Sequence, residues 1–183
     1  MKKYIFILCV SILLLTACKS NEIESTFDKA PAEALAVEFL NKLYTIEDNT
    51  DYEQAVANMS LDGQGEALTF GYDVLCSEDA MWEAVSFHFL FREVAFDKNF
   101  TMSLNTCEIS ETSSSMADGS LLNEFTTVAY SYEIELLLTY EDESTEVINV
   151  DGNMNVKYIE DQWKVYAFGE NVYHELWRNH HKR

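Results

Sequence analysis

Apolar positions in this chain recur with two different periods. Before residue 92 they return every three or four residues, and from Phe100 onward they alternate with polar ones. Leu35, Ala36, Phe39, Leu40, Leu43 and Tyr44 mark one buried stripe, which predicts a helix over Pro31–Ile46 with proline suited to its first turn. Thr50 and Glu53 stand at capping-box spacing, so Thr50–Met59 reads as a second, shorter helix with Tyr52, Ala55, Val56 and Met59 on its apolar side. Ser77-Glu78-Asp79 opens another, with a cap residue and two acids at the positive end of the helix dipole. Met81, Trp82, Val85 and Phe89 form its expected buried side. Val85, Phe87, Phe89 and Phe91 also alternate, a strand signal; the length of the periodic run and its capped start favour helix.

The second half reads as a meander. Phe100, Met102 and Leu104 alternate with polar residues, and Ser110–Gly119 has the composition of a flexible loop. Val128, Tyr130, Tyr132, Ile134, Leu136, Leu138 and Tyr140 then share one face of a long strand, opposite Thr127, Ser131, Glu133, Glu135 and Thr139. Glu141–Ser144 turns the chain into Val147–Val150, and a break is expected at Asp151-Gly152. Met154, Val156 and Tyr158 follow, then a tight turn at Glu160-Asp161 and a last inward set of Trp163, Val165 and Ala167. Gly169 is expected to end the sheet, and Val172, Tyr173, Leu176 and Trp177 suggest a short final helix. Helices followed by alternating strands give an α+β class: N-terminal helices on a curved antiparallel sheet of about four to six strands.

The start of the chain has a different character. Two lysines precede an apolar run from Tyr4 to Leu15, 12 residues long and short of the roughly 20 that a membrane-spanning helix needs. The ending Leu15-Thr16-Ala17-Cys18 resembles the lipobox of bacterial lipoprotein precursors. That resemblance implies a signal peptide over 1–17, a lipid on Cys18 that anchors the protein to a membrane, and an extracytoplasmic location in the cell envelope. The polar, unpatterned stretch to Lys29 completes a lipidated cysteine and flexible tether over 18–29. A single α+β domain over 30–168 and a short helix with a basic tail over 169–183 complete the organisation.

Charge narrows the partners. The chain carries −20; without Lys2 and Lys3, 10 basic residues face 32 acidic ones, a net −22. Such a body is repelled by phosphate backbones, which argues against nucleic acid as a partner. Beyond the signal and the proposed lipid site, Cys76 and Cys107 remain. They read either as two unpaired buried thiols or as a disulfide, which an extracytoplasmic compartment permits. Neither has a basic neighbour in sequence to make it a nucleophile.

The helix AEALAVEFLNKLY, the short acidic helix after it and the closing pair NMNVKYIEDQWKVYAF together resemble the nuclear-transport-factor-2-like, or cystatin-like, plan. That resemblance implies a cone-like domain with an opening at its wide end, where some members hold an apolar ligand and a few catalyse isomerisation or dehydration. Candidate pocket-lining residues are Tyr130, Tyr132, Tyr158, Trp82 and Phe89. The isomerase members need an acid facing a tyrosine, but Glu133 and Glu135 have the opposite parity and should face water. His88 reads as a core or boundary histidine. The chain has no phosphate loop, nucleophile elbow, His-Glu-x-x-His or Cys-x-x-Cys, so no cofactor, metal or catalytic set is expected. The favoured function is a non-catalytic module binding a small apolar ligand or an envelope protein. The alternatives are a weak isomerase or dehydratase using pocket tyrosines and a loop carboxylate such as Asp151 or Glu160, and an accessory lipoprotein acting through the outer sheet face.

Overall fold

The structure is a computed structural model that describes residues 28–48, 52, 69–115 and 126–170. The leader, the tether up to 27, most of the expected Thr50–Met59 helix and the C-terminal helix and tail lie outside the described residues. Helix α1 (Ala30–Leu43) and helix α2 (Glu78–Lys98) precede four strands: β1 (Phe100–Ser115), β2 (Thr127–Tyr140), β3 (Thr145–Ile159) and β4 (Gln162–Glu170). The strands pair in sequence order, all antiparallel, and both helices pack against the sheet. The class is α+β, as the patterning predicts.

Helix α1 carries Pro31 in its first turn and Lys42 in its last, each where the helix end favours it. Ala32, Ala36, Phe39, Leu40 and Leu43 are its buried stripe. The ambiguous segment is helix throughout, and α2 runs 21 residues. Its alternating aromatics reflect burial on more than one side. Phe91 lies in the core, Phe87 stacks on Phe168 at 5.6 Å, and Phe89 meets Phe70 at 4.9 Å. Ser77 occupies the N-cap position without making a side-chain cap bond. Its backbone N–H instead donates to Val165 O at 2.9 Å, which ties the helix start to β4. Asn99 closes α2 in the left-handed conformation (φ 58°), a geometry asparagine tolerates, and the chain passes directly into β1.

Three register shifts decide which residues face inward, because one extra residue reverses strand parity. In β1 the shift at Asn105 exchanges Phe100, Met102 and Leu104 for Cys107, Ile109 and Glu111; a second, at Thr112, brings Ser114 round. In β4 the shift at Tyr166 puts Phe168 in the core in place of the expected Ala167. The serine-rich stretch expected to begin a loop at Ser110 is strand up to Ser115, since pairing with β2 satisfies its backbone. No break occurs at Asp151-Gly152: β3 passes straight through, with Gly152 opposite Tyr132. A Cβ there would enter the van der Waals envelope of the Tyr132 hydroxyl and of Gly169 O, so glycine makes room rather than ending the strand. Gly169 likewise lies within β4, paired with Asn153. Glu160 and Asp161 (φ 51° and 63°) form the tight two-residue turn, with both residues left-handed.

Phe39 is the keystone of the interior, stacking on Phe168 at 4.9 Å and Tyr72 at 6.0 Å. Burial of each such ring contributes roughly 2–3 kcal/mol. Ile46 pairs with Met102 on the free side of β1 (2.7 and 3.0 Å), and Leu75 and Ser77 pair with Val165 on the free side of β4, so both edges are partly covered. Cys76 is buried beside β4, Cys107 is half-buried on β1, and both are free thiols.

Candidate functional site

The tyrosines expected to line a pocket mostly serve as core. Tyr130 and Tyr132 sit on the inner face of β2, and Tyr132 is 1% exposed. Its hydroxyl donates to Gly169 O at 3.3 Å, and burial pushes its ionisation far up, so it stays a neutral donor. Burial, then Glu33 and Glu111, push Tyr130 up to about 12. Tyr158 lies at the β3–β4 end, edge-on to Trp163 at 5.3 Å. Trp82, expected on the buried side of its helix, is 46% exposed. The buried stripe runs through Met81, Val85 and Arg92, and Trp82 falls one residue round the helix from it. The structure therefore does not gather these five residues into one pocket.

The acids have clear positions too. Glu133 and Asp151 face outward and directly oppose each other across β2 and β3; Glu160 sits in the tight turn. Glu111, by contrast, shares the inner face with Tyr130. Its carboxylate accepts from Lys29 Nζ at 2.7 Å, and Lys29 also reaches Ser114 Oγ at 2.8 Å. Hydrogen bonding from Lys29, and then from Ser114, holds the Glu111 carboxyl below its usual range. A base recruited to move a carbon-bound proton needs the reverse shift.

A different place collects chemistry. A cleft of about 640 Å³ opens between the C-terminal half of α1 and the middle of α2, lined by Glu38, Asn41, Lys42, Phe70, His88 and Arg92 among others. His88 and Arg92 are four apart on α2 and so share a face, while Lys42 comes from the last turn of α1. The chain reaches the cleft through a left-handed pair, Phe70 (φ 50°) and Gly71 (φ 74°). At Phe70 that conformation costs roughly 1–2 kcal/mol. It places the ring against His88 at 4.6 Å and under the Arg92 guanidinium at 6.0 Å. Lys42 Nζ lies 5.7 Å from the Tyr72 ring centre.

His88 Nδ1 is 3.3 Å from the hydroxyl of the fully buried Tyr72. Burial drives the tyrosine's ionisation far up, so it remains a phenol. Assigning it as donor leaves the imidazole proton on Nε2. Burial, with Arg92 and Lys42 nearby, lowers the His88 pKa to about 4, and the ring is neutral at physiological pH. Its hydrogen bond to Tyr72 fits the boundary histidine expected from sequence. Lys42, Arg92, Phe70 and Tyr72 were not singled out by sequence. The four-residue spacing of His88 and Arg92 was the available signal, but it says nothing of the loop and helix that meet them.

Among the described residues no group of three or more histidine, cysteine or acidic side chains is placed to hold a metal ion, and no helix is long and apolar enough to cross a membrane.

No protein-family model matches the chain, and no curated protein matches it in sequence. A solved structure shares its fold. A periplasmic fragment of TraM superposes with a TM-score of 0.55 at 9% identity, over 80% of this chain and 98% of that one. The intermembrane-space region of the chloroplast protein ARC6 gives 0.42 at 10% identity, over 79% and 96%. CagV, a VirB8 homologue of the type IV secretion system of Helicobacter pylori, gives 0.42 at 9%, over 78% and 97%. At these identities the likeness to the TraM fragment concerns the fold alone.

Proposed function

We propose that this chain is an extracytoplasmic lipoprotein, anchored to a bacterial membrane through lipid on Cys18, whose α+β domain is a non-catalytic binding module of the cell envelope. The leader and its Leu15-Thr16-Ala17-Cys18 ending support the anchor. The periplasmic setting of the TraM fragment agrees with the location. The observation that carries the binding reading is where the polar chemistry lies. The tyrosines of the sheet are packed and Glu111 is engaged by Lys29, while charged and aromatic side chains converge at the cleft between the helices. That arrangement gives the isomerase alternative no poised base and gives a binding module a place to bind.

The anchor also sets the domain's reach. The ten steps from Cys18 to Asp28 span at most about 35 Å. Lys29 holds the start of α1 beside the far end of β1, and α1 rises about 20 Å from there. That reach exceeds the length of α1, so the cleft at its other end is free to meet soluble or partner molecules.

Labelling cells with a palmitate analogue tests the anchor. Wild-type chain should take up label and fractionate with membranes, while Cys18→Ala should remain unlabelled and uncleaved. An unlabelled wild-type precursor in the cytosol would overturn the reading.

A further inference from the structure

The charged groups around the cleft are sorted by depth. Arg92 is 7% exposed and Lys42 half-buried, whereas Glu38, Glu47 and Asp48 are exposed at the rim. Water screens rim charges strongly and buried ones weakly, so the floor of the cleft is governed by its two cations. Two cations against three acids is a local enrichment in positive charge on a chain with 12 basic and 32 acidic residues. The Phe70 ring and a neutral imidazole line the cleft beside the cations, with the fully buried Tyr72 behind, under Lys42.

We propose that this cleft binds a single carboxylate carried on a small aromatic or apolar body, with Lys42 and Arg92 taking the carboxylate and Phe70 lining the wall against the body. The inference rests on the reading of the domain as a binding module. Arg92 has a further partner besides Phe70, and a guanidinium with five donors can serve that partner and a ligand together. Lys42, on a flexible stem over Tyr72, is the adjustable partner. Phosphate lacks the apolar body that Phe70 would line, and the three screened rim acids add a modest bias against a second negative charge. A neutral His88 adds a hydrogen-bonding edge without adding charge, consistent with its lowered pKa.

The test uses the full chain in detergent micelles and three probes: phenylacetate, its uncharged analogue phenylacetamide, and inorganic phosphate. Calorimetry and the His88 imidazole NMR signals give two independent readouts. Phenylacetate should bind saturably and move the His88 signals. Phenylacetamide and phosphate should each bind at least about tenfold more weakly. Lys42→Met, which keeps the apolar stem, should weaken phenylacetate about tenfold and leave phenylacetamide unchanged. The proposal fails if phenylacetamide equals phenylacetate, if phosphate binds more tightly, if Lys42→Met changes nothing, or if the wild-type chain shows no saturation by about 10 mM, a generous limit for so small a ligand. The acyl mass on Cys18 is measured on the same preparation. An anchored chain blind to phenylacetate would overturn the ligand class and leave the anchored module standing, while an unacylated chain that binds phenylacetate would do the reverse.

Discussion

The inner face of the sheet and the cleft between the helices are both rich in aromatic and titratable groups, yet they are built to opposite ends. Tyr132 donates to a backbone carbonyl, stacks where Gly152 has no side chain, and lies 1% exposed. In the cleft, Phe70 is held in an unfavourable backbone conformation against a histidine and a guanidinium that line an open cavity. A buried hydroxyl with a backbone partner is part of the core. Strain spent on presenting a ring to charged groups at a cavity points to a site.

The sharpest way to break the comparison is Gly152→Ala. If the Tyr132 ring fills the space that a Cβ would need, urea denaturation should show a loss of about 3 kcal/mol, the upper end for overpacking. Gly169→Ala, whose added Cβ would meet no atom within 4 Å, should change stability little. Equal effects at the two glycines would show the inner face to be looser than described.

The cleft should answer to pH. The unfolded His88 takes up a proton near 6.5 and the folded one near 4, so between those values the unfolded state holds more protons. Its contribution is therefore complete above 6.5 and is lost as the pH falls toward 4, on the order of 3 kcal/mol. In His88→Gln that component should vanish from the stability curve, whatever the carboxylates add to both curves. An identical slope in wild type and variant would mean that His88 is open to water. A smaller effect is expected for Tyr132→Phe, about 1 kcal/mol for one neutral hydrogen bond, with no change in ligand binding.

These cases show how far the sequence could be read. The order of elements, the long strand β2 and the helix α2 follow from period, because apolar spacing reports which face is buried. The bulges at Asn105, Thr112 and Tyr166 do not. Each depends on pairing with a neighbouring strand, and so Ala167 was expected where Phe168 stands. Gly152 carried the composition of a break, yet its cause is a tyrosine twenty residues earlier in the chain. The cleft was less legible still. Lys42, Phe70, His88 and Arg92 come from three segments that only tertiary packing brings together, and a left-handed phenylalanine leaves no mark in a hydropathy pattern.

The outer sheet face supplies the finest test of whether gathered charge alone makes a site. Glu108, Glu133 and Asp151 stand directly opposite one another on three adjacent strands, bordering a depression of about 410 Å³. Like charges in that register repel, and no aromatic residue borders the depression among the described residues. If the row is simply a solvated face, Glu133→Lys should form favourable pairs with both neighbours. It should then raise stability by about 0.5 kcal/mol in dilute buffer, a gain that fades in molar salt. If the row instead receives a basic partner, the same reversal would cost membrane-extract binding while the isolated chain still gained stability. Phenylacetate binding should be indifferent to the change in either case, since the row lies on the face of the sheet turned away from the helices.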